Sequence, residues 1–192
     1  SFTRDGDRIL VVGEGVDATL EASRSVYARL SGADFGLLLG DGTLAFELTN
    51  GTLDLALGPL AEVSASAVTV RYTNATTAIT AGTTLEVRGL SYTFAEAIAA
   101  DTVAFAAEGF SAEVADFVAL SGDLAFRKDG LDIIAVGASV TASLEASDTV
   151  FVRLENAAFG LLAGRAAFAF ELTDGTLAVA LGPLATLSVT TA

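Results

Sequence analysis

The side chains best able to do chemistry in this chain are carboxylates, and four of them recur as two pairs at one spacing. Glu21 and Glu145 both stand in Leu-Glu-Ala-Ser, and Glu47 and Glu171 both stand in Ala-Phe-Glu-Leu-Thr. Two carboxylates about 5–10 Å apart can hydrolyse a glycosidic bond. A sugar site also needs aromatic platforms, but the chain has no Trp and only three Tyr. We therefore interpret these residues as solvated acids on the wet faces of strands, where they discourage edge-to-edge aggregation.

Two acidic turns resemble calcium loops, namely Arg-Asp-Gly-Asp at 4–7 and Gly-Asp-Gly-Thr at 40–43. A calcium site needs about six to eight oxygen ligands, usually from several carboxylates at short spacing. Neither the EF-hand pattern nor the glycine-aspartate nonapeptide of calcium β-rolls is present. The last Asp of the first turn and the Asp of the second are replaced, 124 residues later, by Leu131 and Arg165. We interpret both segments as turns and predict no metal site, while calcium binding stays open as an alternative.

The composition excludes most kinds of catalytic site, because the chain has no His, Cys, Met or Trp. Without His the commonest general base and metal ligand is missing. Without Cys there is no thiolate nucleophile, disulfide framework or zinc-thiolate site. No G-x-S-x-G elbow and no G-K-[ST] phosphate loop occurs in the sequence. We predict no catalytic, cofactor-binding or metal-ligating residues, no cofactor and no enzymatic activity.

Charge and hydropathy narrow the range of partners. The 24 acidic and 10 basic residues give a net charge of −14, which argues against nucleic acid and against anionic membrane surfaces. Hydrophobic residues make up 52% of the chain, yet no run approaches the ~18 consecutive apolar residues of a membrane helix. We therefore do not expect a membrane as a partner. The apolar residues are Ala, Val, Leu and Phe dispersed among Thr, Ser and Gly, which is typical of strands and turns.

An internal repeat is the strongest signal in the sequence. Five segments reappear 124 residues later without a gap, and about half of the aligned positions are identical. The recurring segments begin at Arg4 and Lys128, Leu20 and Leu144, Phe35 and Phe159, Ala45 and Ala169, and Ala56 and Ala180. We divide the chain into one full period, residues 1–124, and the first half of a second copy, residues 125–192. Because the chain has no Met and starts inside a repeat, we expect a processed or excised piece of a longer array.

Strand signals follow one another about every eight to ten residues. We predict strands near 8–13, 16–22, 25–31, 34–40, 43–49, 52–57 and 60–72. The predicted turns between them are Gly13-Glu14-Gly15, Gly32-Ala33, Asp41-Gly42, Asn50-Gly51 and Gly58-Pro59, with Asp174-Gly175 as the second copy of Asn50-Gly51. Asp-Gly and Asn-Gly suit two-residue hairpin turns because both residues tolerate positive φ.

Alternation with a period of two predicts one dry and one wet face on each strand. Val16, Ala18, Leu20 and Ala22 share one face, and Leu44, Phe46 and Leu48 alternate with Thr43, Glu47 and Thr49. The best helix candidate is 94–100, but the neighbouring segments 103–107 and 110–114 alternate again, so we predict a strand there as well. The sequence predicts an all-β fold, an antiparallel meander of short strands in a repeat architecture. Whether that architecture is solenoid-like or a tandem sandwich stays open.

Two segments carry a resemblance to a known family. Asp-Phe-Val-Ala-Leu-Ser-Gly-Asp-Leu-Ala-Phe-Arg-Lys at 116–128 and Val-Thr-Val-Arg-Tyr-Thr-Asn at 68–74 resemble repeats of giant bacterial surface proteins of the LEPR-XLL type. Those repeats carry F-V-x-L-S-G-x-F-A-F-x-K and V-x-V-R-x-N segments in long arrays. The resemblance implies a very large secreted or cell-surface protein that serves in attachment or as a filament. It implies no catalytic residues.

We therefore expect a structural repeat module of an extracellular bacterial filament or giant adhesin, located outside the cell or on its surface. Its expected partners are neighbouring copies of the same repeat, end to end and laterally, with a cell surface or glycan as a further partner. The alternative is a calcium-dependent or glycan-binding adhesive module carried on such an array. Calcium dependence of the melting temperature would separate the two.

Overall fold

The computed structural model describes residues 1–40, 42–115, 117–165 and 167–190, without the side chain of Asp129. The described residues contain antiparallel strands and irregular segments. The strands are β1 (Phe2–Asp5), β2 (Arg8–Ser23), β3 (Val26–Gly40), β4 (Thr43–Leu57), β5 (Ala61–Thr73), β6 (Thr84–Val87), β7 (Leu90–Thr93), β8 (Val103–Val114), β9 (Val118–Asp129), β10 (Asp132–Ser147), β11 (Val150–Ala163), β12 (Phe168–Thr173), β13 (Thr176–Leu181) and β14 (Thr186–Thr190).

Twelve of these strands form one open sheet in the order β1-β2-β3-β4-β5-β8-β9-β10-β11-β13-β14, with β12 also paired to β11. Each ladder is antiparallel and joins strands that follow each other along the sheet, so the predicted all-β antiparallel meander is confirmed. The path is interrupted once, between β5 and β8, by residues 74–102, which we call the insert. The insert carries the separate hairpin β6–β7.

The described ranges contain no helix that is long and apolar enough to cross a membrane. Residues 94–100 form neither the helix that their composition suggested nor the strand that we predicted. They are irregular apart from a single bridge between Ile98 and Ile79. The alternating segments that follow, at 103–107 and 110–114, do lie in a strand, β8.

The prediction of short strands is wrong, because β2, β3 and β4 are 16, 15 and 15 residues long. The predicted turns at 13–15, 32–33 and 50–51 lie inside these strands. Each of these segments does contain one residue with positive φ, namely Gly15 at 56°, Gly32 at 66° and Asn50 at 62°. A β-bulge also uses that conformation, and the strand on both sides of 50–51 keeps pairing with β3. The sequence therefore predicted positive φ in these segments correctly. In the structure this conformation bends a strand at a bulge and does not form a turn between two strands.

The remaining predicted turns agree with the structure where it describes them. Gly58 and Pro59 separate β4 from β5, and the predicted strand at 60–72 corresponds to β5. Gly40 pairs with Thr43 across the turn at 41–42, in which Gly42 has φ 73° and Asp41 lies outside the described residues. The turn at 174–175 separates β12 from β13, although both of these strands pair with β11.

The bulges lie side by side and form a line across the sheet, which we call the bulge seam. Register shifts occur at Gly13–Val16, Leu48–Gly51, Ala107–Phe110 and Gly137–Val140. Small residues are buried along this line, including Ala33 at 1% and Ala107 at 1% exposure. A Cβ added to Gly51 would lie 2.6 Å from Leu30 Cδ1. Bulged strands bend and twist, so the seam needs small residues on its inner side.

Strand register recurs between the two halves of the chain. The pairs Ile9↔Leu39 and Val12↔Gly36 of β2–β3 reappear as Ile133↔Ala163 and Val136↔Gly160 of β10–β11, with every number raised by 124. In the same way Asp5↔Arg8 of β1–β2 reappears as Asp129↔Asp132 of β9–β10. β1 therefore has the position in the first half that the end of β9 has in the second.

The predicted dry faces are only partly correct. Leu20, assigned to a dry face, is 77% exposed, and Glu47, assigned to a wet face, is 0% exposed. Alternation shows which residues share a face, but it does not show which face another layer covers. The main buried hydrophobic cluster lies between the sheet and the insert, and consists of Val12, Leu85, Val87, Tyr92, Phe94 and Ile98.

Candidate functional site

The insert builds the one place where the described chain stacks a second layer of strand on the large sheet. Its hairpin β6–β7 lies over β2 and β3. Tyr92 and Phe94 pack edge to face with ring centroids 5.6 Å apart. The Tyr92 ring covers Gly36, where an added Cβ would lie 2.4 Å from Tyr92 Cδ1. A glycine in a strand often marks such a close approach, and here it makes room for the aromatic ring.

Glu47 is buried at the centre of this layer. Its Oε1 accepts a hydrogen bond from Arg71 Nε at 2.6 Å, and its Oε2 accepts one from the Tyr92 hydroxyl at 2.9 Å. Arg71 also contacts Glu96 of the insert, with 2.8 Å between Nη1 and Oε2. The prediction of a solvated acid at Glu47 is wrong, because the insert covers this face and supplies a partner. A buried carboxylate persists when it is paired and hydrogen-bonded in this way.

The two partners of Glu47 come from different elements. Arg71 stands directly opposite Glu47 in the β4–β5 ladder, whereas Tyr92 belongs to the insert. Burial raises the pKa of the Tyr92 hydroxyl, and its hydrogen bond to the carboxylate of Glu47 raises that pKa further. The hydroxyl therefore stays protonated and donates to Glu47 across the physiological range. This cluster, which we call the clamp, fastens the insert to the sheet.

Glu21 and Glu145, the other recurring pair of acids, lie on the other side of the bulge seam. Each of them forms an ion pair at the surface. Arg153 donates to Glu145 from Nε at 2.7 Å and from Nη2 at 2.9 Å, and its guanidinium lies 4.1 Å from the centre of the Phe151 ring. In the first half Arg29 contacts Glu21 at 3.3 Å and lies 3.9 Å from the centre of an aromatic ring. The hydrogen bond from Arg153 lowers the pKa of Glu145.

The arginines of these pairs are a signal in the sequence that we overlooked, and they would have indicated the partners of Glu21 and Glu145. Arg29 and Arg153 recur at the same offset of 124 residues as the two acids, and each follows an aromatic residue by two positions. The side chains of Glu21 and Glu145 are 44% and 32% exposed, so these acids are partly solvated and also paired. Ion pairs in such settings contribute little to stability.

Other acids support the backbone at the bulges. Asp34 accepts a hydrogen bond from the backbone N–H of Gly15 at 2.9 Å and another from the Asn50 amide at 3.0 Å. The amide of Asn50 and then the N–H of Gly15 lower the pKa of the Asp34 carboxyl. Asp17 accepts from the backbone N–H of Gly32 in the same manner. These contacts satisfy N–H groups that the bulges leave without a ladder partner.

The acidic turn at 4–7 holds one weak ion pair, Arg4 to Asp7 at 3.8 Å, and both side chains are largely exposed. Asp41 of the second acidic turn lies outside the described residues. Within the described ranges, no group of three or more Asp, Glu, His or Cys side chains is arranged so that it could hold a metal ion.

Two open grooves lie on the same face of the sheet as the insert, beyond the area that it covers. One groove of about 330 Å³ runs from Arg71 past Ala104 and Ala125 to Val136. A second groove of about 290 Å³ continues over β10, β11 and β12 to Glu171. Both are lined mainly by small and apolar side chains, which suit contact with another polypeptide better than the binding of a polar solute.

The chain was also compared with known proteins. No family model, curated protein or solved structure matches it. The resemblance to giant surface-protein repeats therefore stays a prediction carried by the segments 68–74 and 116–128. In the structure residues 68–73 lie in β5 and residues 118–128 lie in β9, while Asp116 lies outside the described residues.

Proposed function

We propose that this chain is a structural repeat module of an extracellular bacterial filament or giant adhesin, in which each 124-residue period extends one antiparallel sheet. The recurrence of strand register at an offset of 124 residues carries this proposal. The ladders β8–β9 and β9–β10 join the two halves within the same sheet. Residue 124 lies inside β9, so one period passes into the next without a linker. This continuity favours solenoid-like growth over tandem sandwiches.

The size of one growth step follows from the strand order. A period contributes six strands to the sheet, namely β2, β3, β4, β5, β8 and β9. Neighbouring strands lie about 4.8 Å apart, so one period lengthens the sheet by about 29 Å. β1 is the counterpart of residues 126–129 of β9, which pairs on both of its edges. A strand in the position of β1 can therefore receive a preceding strand on its outer edge.

The proposed partners are neighbouring copies, end to end through strand edges and laterally through faces. Exposed apolar side chains such as Phe168 at 75% and Leu184 at 87% support lateral contact, and the net charge of −14 limits it by repulsion. An extracellular or cell-surface location, with a cell surface or glycan as a further partner, rests on the resemblance and on the absence of Cys. We propose no enzymatic role, since Glu21, Glu47 and Glu145 are each engaged by an arginine.

Small-angle X-ray scattering on chains lengthened by one and two periods tests the structural role. We expect the maximum dimension to grow by about 29 Å per period, and the cross-section to stay constant. A maximum dimension that grows only as the cube root of length would mean independent compaction and would refute the proposal. Protease treatment of intact source cells tests the location, because a surface array is digested while cytosolic proteins survive.

Thermal unfolding with excess calcium and with chelator separates this role from the calcium-dependent adhesive alternative. We expect the same midpoint under both conditions, because the described residues contain no group of three or more possible metal ligands. In addition, Asp17 and Asp34 accept hydrogen bonds from backbone N–H groups, and Glu21 and Glu145 are paired with arginines. A midpoint several degrees higher with calcium would mean that the ion binds the folded state. The adhesive module would then become the better proposal.

A further inference from the structure

The insert covers a patch of the first half whose counterpart in the second half is uncovered. We call the covered patch the floor; it consists of Leu10, Val12, Gly36, Leu38, Ala45 and Glu47. The counterpart floor consists of Ile134, Val136, Gly160, Leu162, Ala169 and Glu171. Five of the six residues are identical and the sixth changes Leu to Ile. Val12 is 0% exposed, whereas Val136 is 49% exposed. The second half keeps the floor residues although the described chain places nothing on them.

Gly160 is the most informative residue of the counterpart floor. Gly36 is needed because the Tyr92 ring lies where its Cβ would be, but none of the described residues lies within 4 Å of a Cβ added to Gly160. Glycine weakens a strand relative to residues with a side chain. A glycine at position 160 is explained if an aromatic ring packs against it in the way that Tyr92 packs against Gly36.

Glu171 also indicates that a segment like the insert binds to the counterpart floor. Its counterpart Glu47 receives hydrogen bonds from Arg71 and Tyr92, whereas the Glu171 side chain is exposed and forms no hydrogen bond or ion pair with the described residues. The missing donors are those that a segment with the sequence of β5 and the insert would supply.

The edge of β12 next to this floor also pairs with no strand of the described residues. In the first half the outer edge of β4 pairs with β5 through Ala45↔Thr73 and Glu47↔Arg71. In the second half β12 pairs with β11 alone among the described residues, while β14 pairs with β13. A free strand edge offers a row of unpaired N–H and C=O groups to an added strand. The edge and the floor are thus open together.

We propose that the floor and edge formed by β10, β11 and β12 bind a second copy of the segment at 69–102. Residues 69–73 of that copy add as a strand to β12, its Tyr92 seats on Gly160, and its Arg71 and Tyr92 donate to Glu171. This inference rests on the repeat role proposed above and names the contact between consecutive repeat units. The floor would then be the place where each period accepts the insert that covers it.

The test titrates a synthetic peptide with the sequence of residues 69–102 into the intact 192-residue chain by isothermal calorimetry. We expect saturable one-to-one binding. Gly160→Val blocks the ring position and Glu171→Ala removes the acceptor, so each variant should weaken binding about tenfold or more. Gly160→Val is a mild change for the chain itself, because the space above it is open and Val favours strands. A peptide carrying Tyr92→Ala should show a similar loss.

Glu155→Ala is the matched control, because Glu155 is exposed and lies on β11 opposite β13; its affinity should equal that of the parent chain. Hydrogen exchange gives a second readout, in which the peptide should slow exchange of the backbone amides at 168–173. Absence of binding, or equal binding by the Gly160→Val and Glu171→Ala variants, would overturn the proposal. Self-association of the parent chain would also overturn the proposal if Gly160→Val abolished that self-association, because the occupant of the floor would then be a whole second chain. The proposed repeat role is tested separately: it would stand after any of these results if the maximum dimension of lengthened chains still increased by about 29 Å per period.

Discussion

Replacement of Glu47 by Ala tests whether the clamp fastens the insert to the sheet. The carboxylate is 0% exposed and accepts two hydrogen bonds, one from Arg71 at 2.6 Å and one from Tyr92 at 2.9 Å. Hydrogen bonds to a charged group contribute about 1.5–3 kcal/mol each, and both bonds here go to the charged carboxylate. Arg71 keeps Glu96 and is 22% exposed, so its charge is not stranded by the change.

The substitution also removes the desolvation cost of a buried charge, so we take the low end of this range for each bond, which gives a loss of about 3 kcal/mol in the free energy of unfolding for Glu47→Ala. For a chain of this size, that corresponds to a fall of about 6–12 °C in the midpoint of thermal unfolding. Urea titration followed by circular dichroism gives the free energy directly. Near-ultraviolet circular dichroism follows the clamp itself, because Tyr92 is buried and the chain has no Trp.

The chain contains its own control for this experiment, since Glu171 has the same position in the second half. Its side chain is exposed, so Glu171→Ala should change the free energy of unfolding by no more than about 0.5 kcal/mol. Equal losses for the two variants would show that the loss does not come from burial or from the clamp. No loss for either variant would refute the view that the clamp stabilises the insert.

Three further predictions concern single positions. Gly36→Ala should destabilise the chain by about 1–3 kcal/mol because its Cβ meets the Tyr92 ring, and Gly160→Ala should not; urea titration of both variants checks this. Asp34 has a pKa below its ordinary value of 3.8 in the folded chain, so its contribution to stability is present above about pH 4 and is lost as the pH falls through that lowered pKa. Asp34→Asn should therefore lower the acid sensitivity of the melting midpoint below about pH 4. Arg153→Ala should raise the pKa of Glu145 toward 4.5, as followed by carboxyl chemical shifts in NMR, while Arg4→Ala should leave it unchanged.

Much of the fold could be predicted from local patterns, because strand propensity and alternation are local properties. The meander, the strand β8 and the turn at 58–59 agree with the sequence analysis. The bulges did not follow from the sequence. Asn50-Gly51 reports that positive φ is needed, but a hairpin and a bulge need it alike. The choice depends on whether the neighbouring strand continues past that point, which is tertiary information.

The clamp was beyond prediction for a related reason. Alternation places Glu47 opposite the apolar side chains of its strand, and an acid on that face is normally solvated. Its burial depends on Arg71, 24 residues away, and on Tyr92, 45 residues away. Neither distance follows from a period of two. The recurrence of Arg29 at Arg153, by contrast, was present in the sequence and would have identified the partners of Glu21 and Glu145.

The direction of the hydrogen bonds has a mechanical consequence. The sheet runs from β1 to β14, so the ladders are stacked one after another between the two ends of the chain. A pulling force applied to these ends acts along the hydrogen bonds and opens the ladders a few bonds at a time. Each strand of about 15 residues that peels away then releases about 50 Å of slack. Under tension such a chain would lengthen in many small steps at low force and dissipate sudden loads. Single-molecule force spectroscopy would detect this as a low plateau, and one tall rupture peak would contradict it.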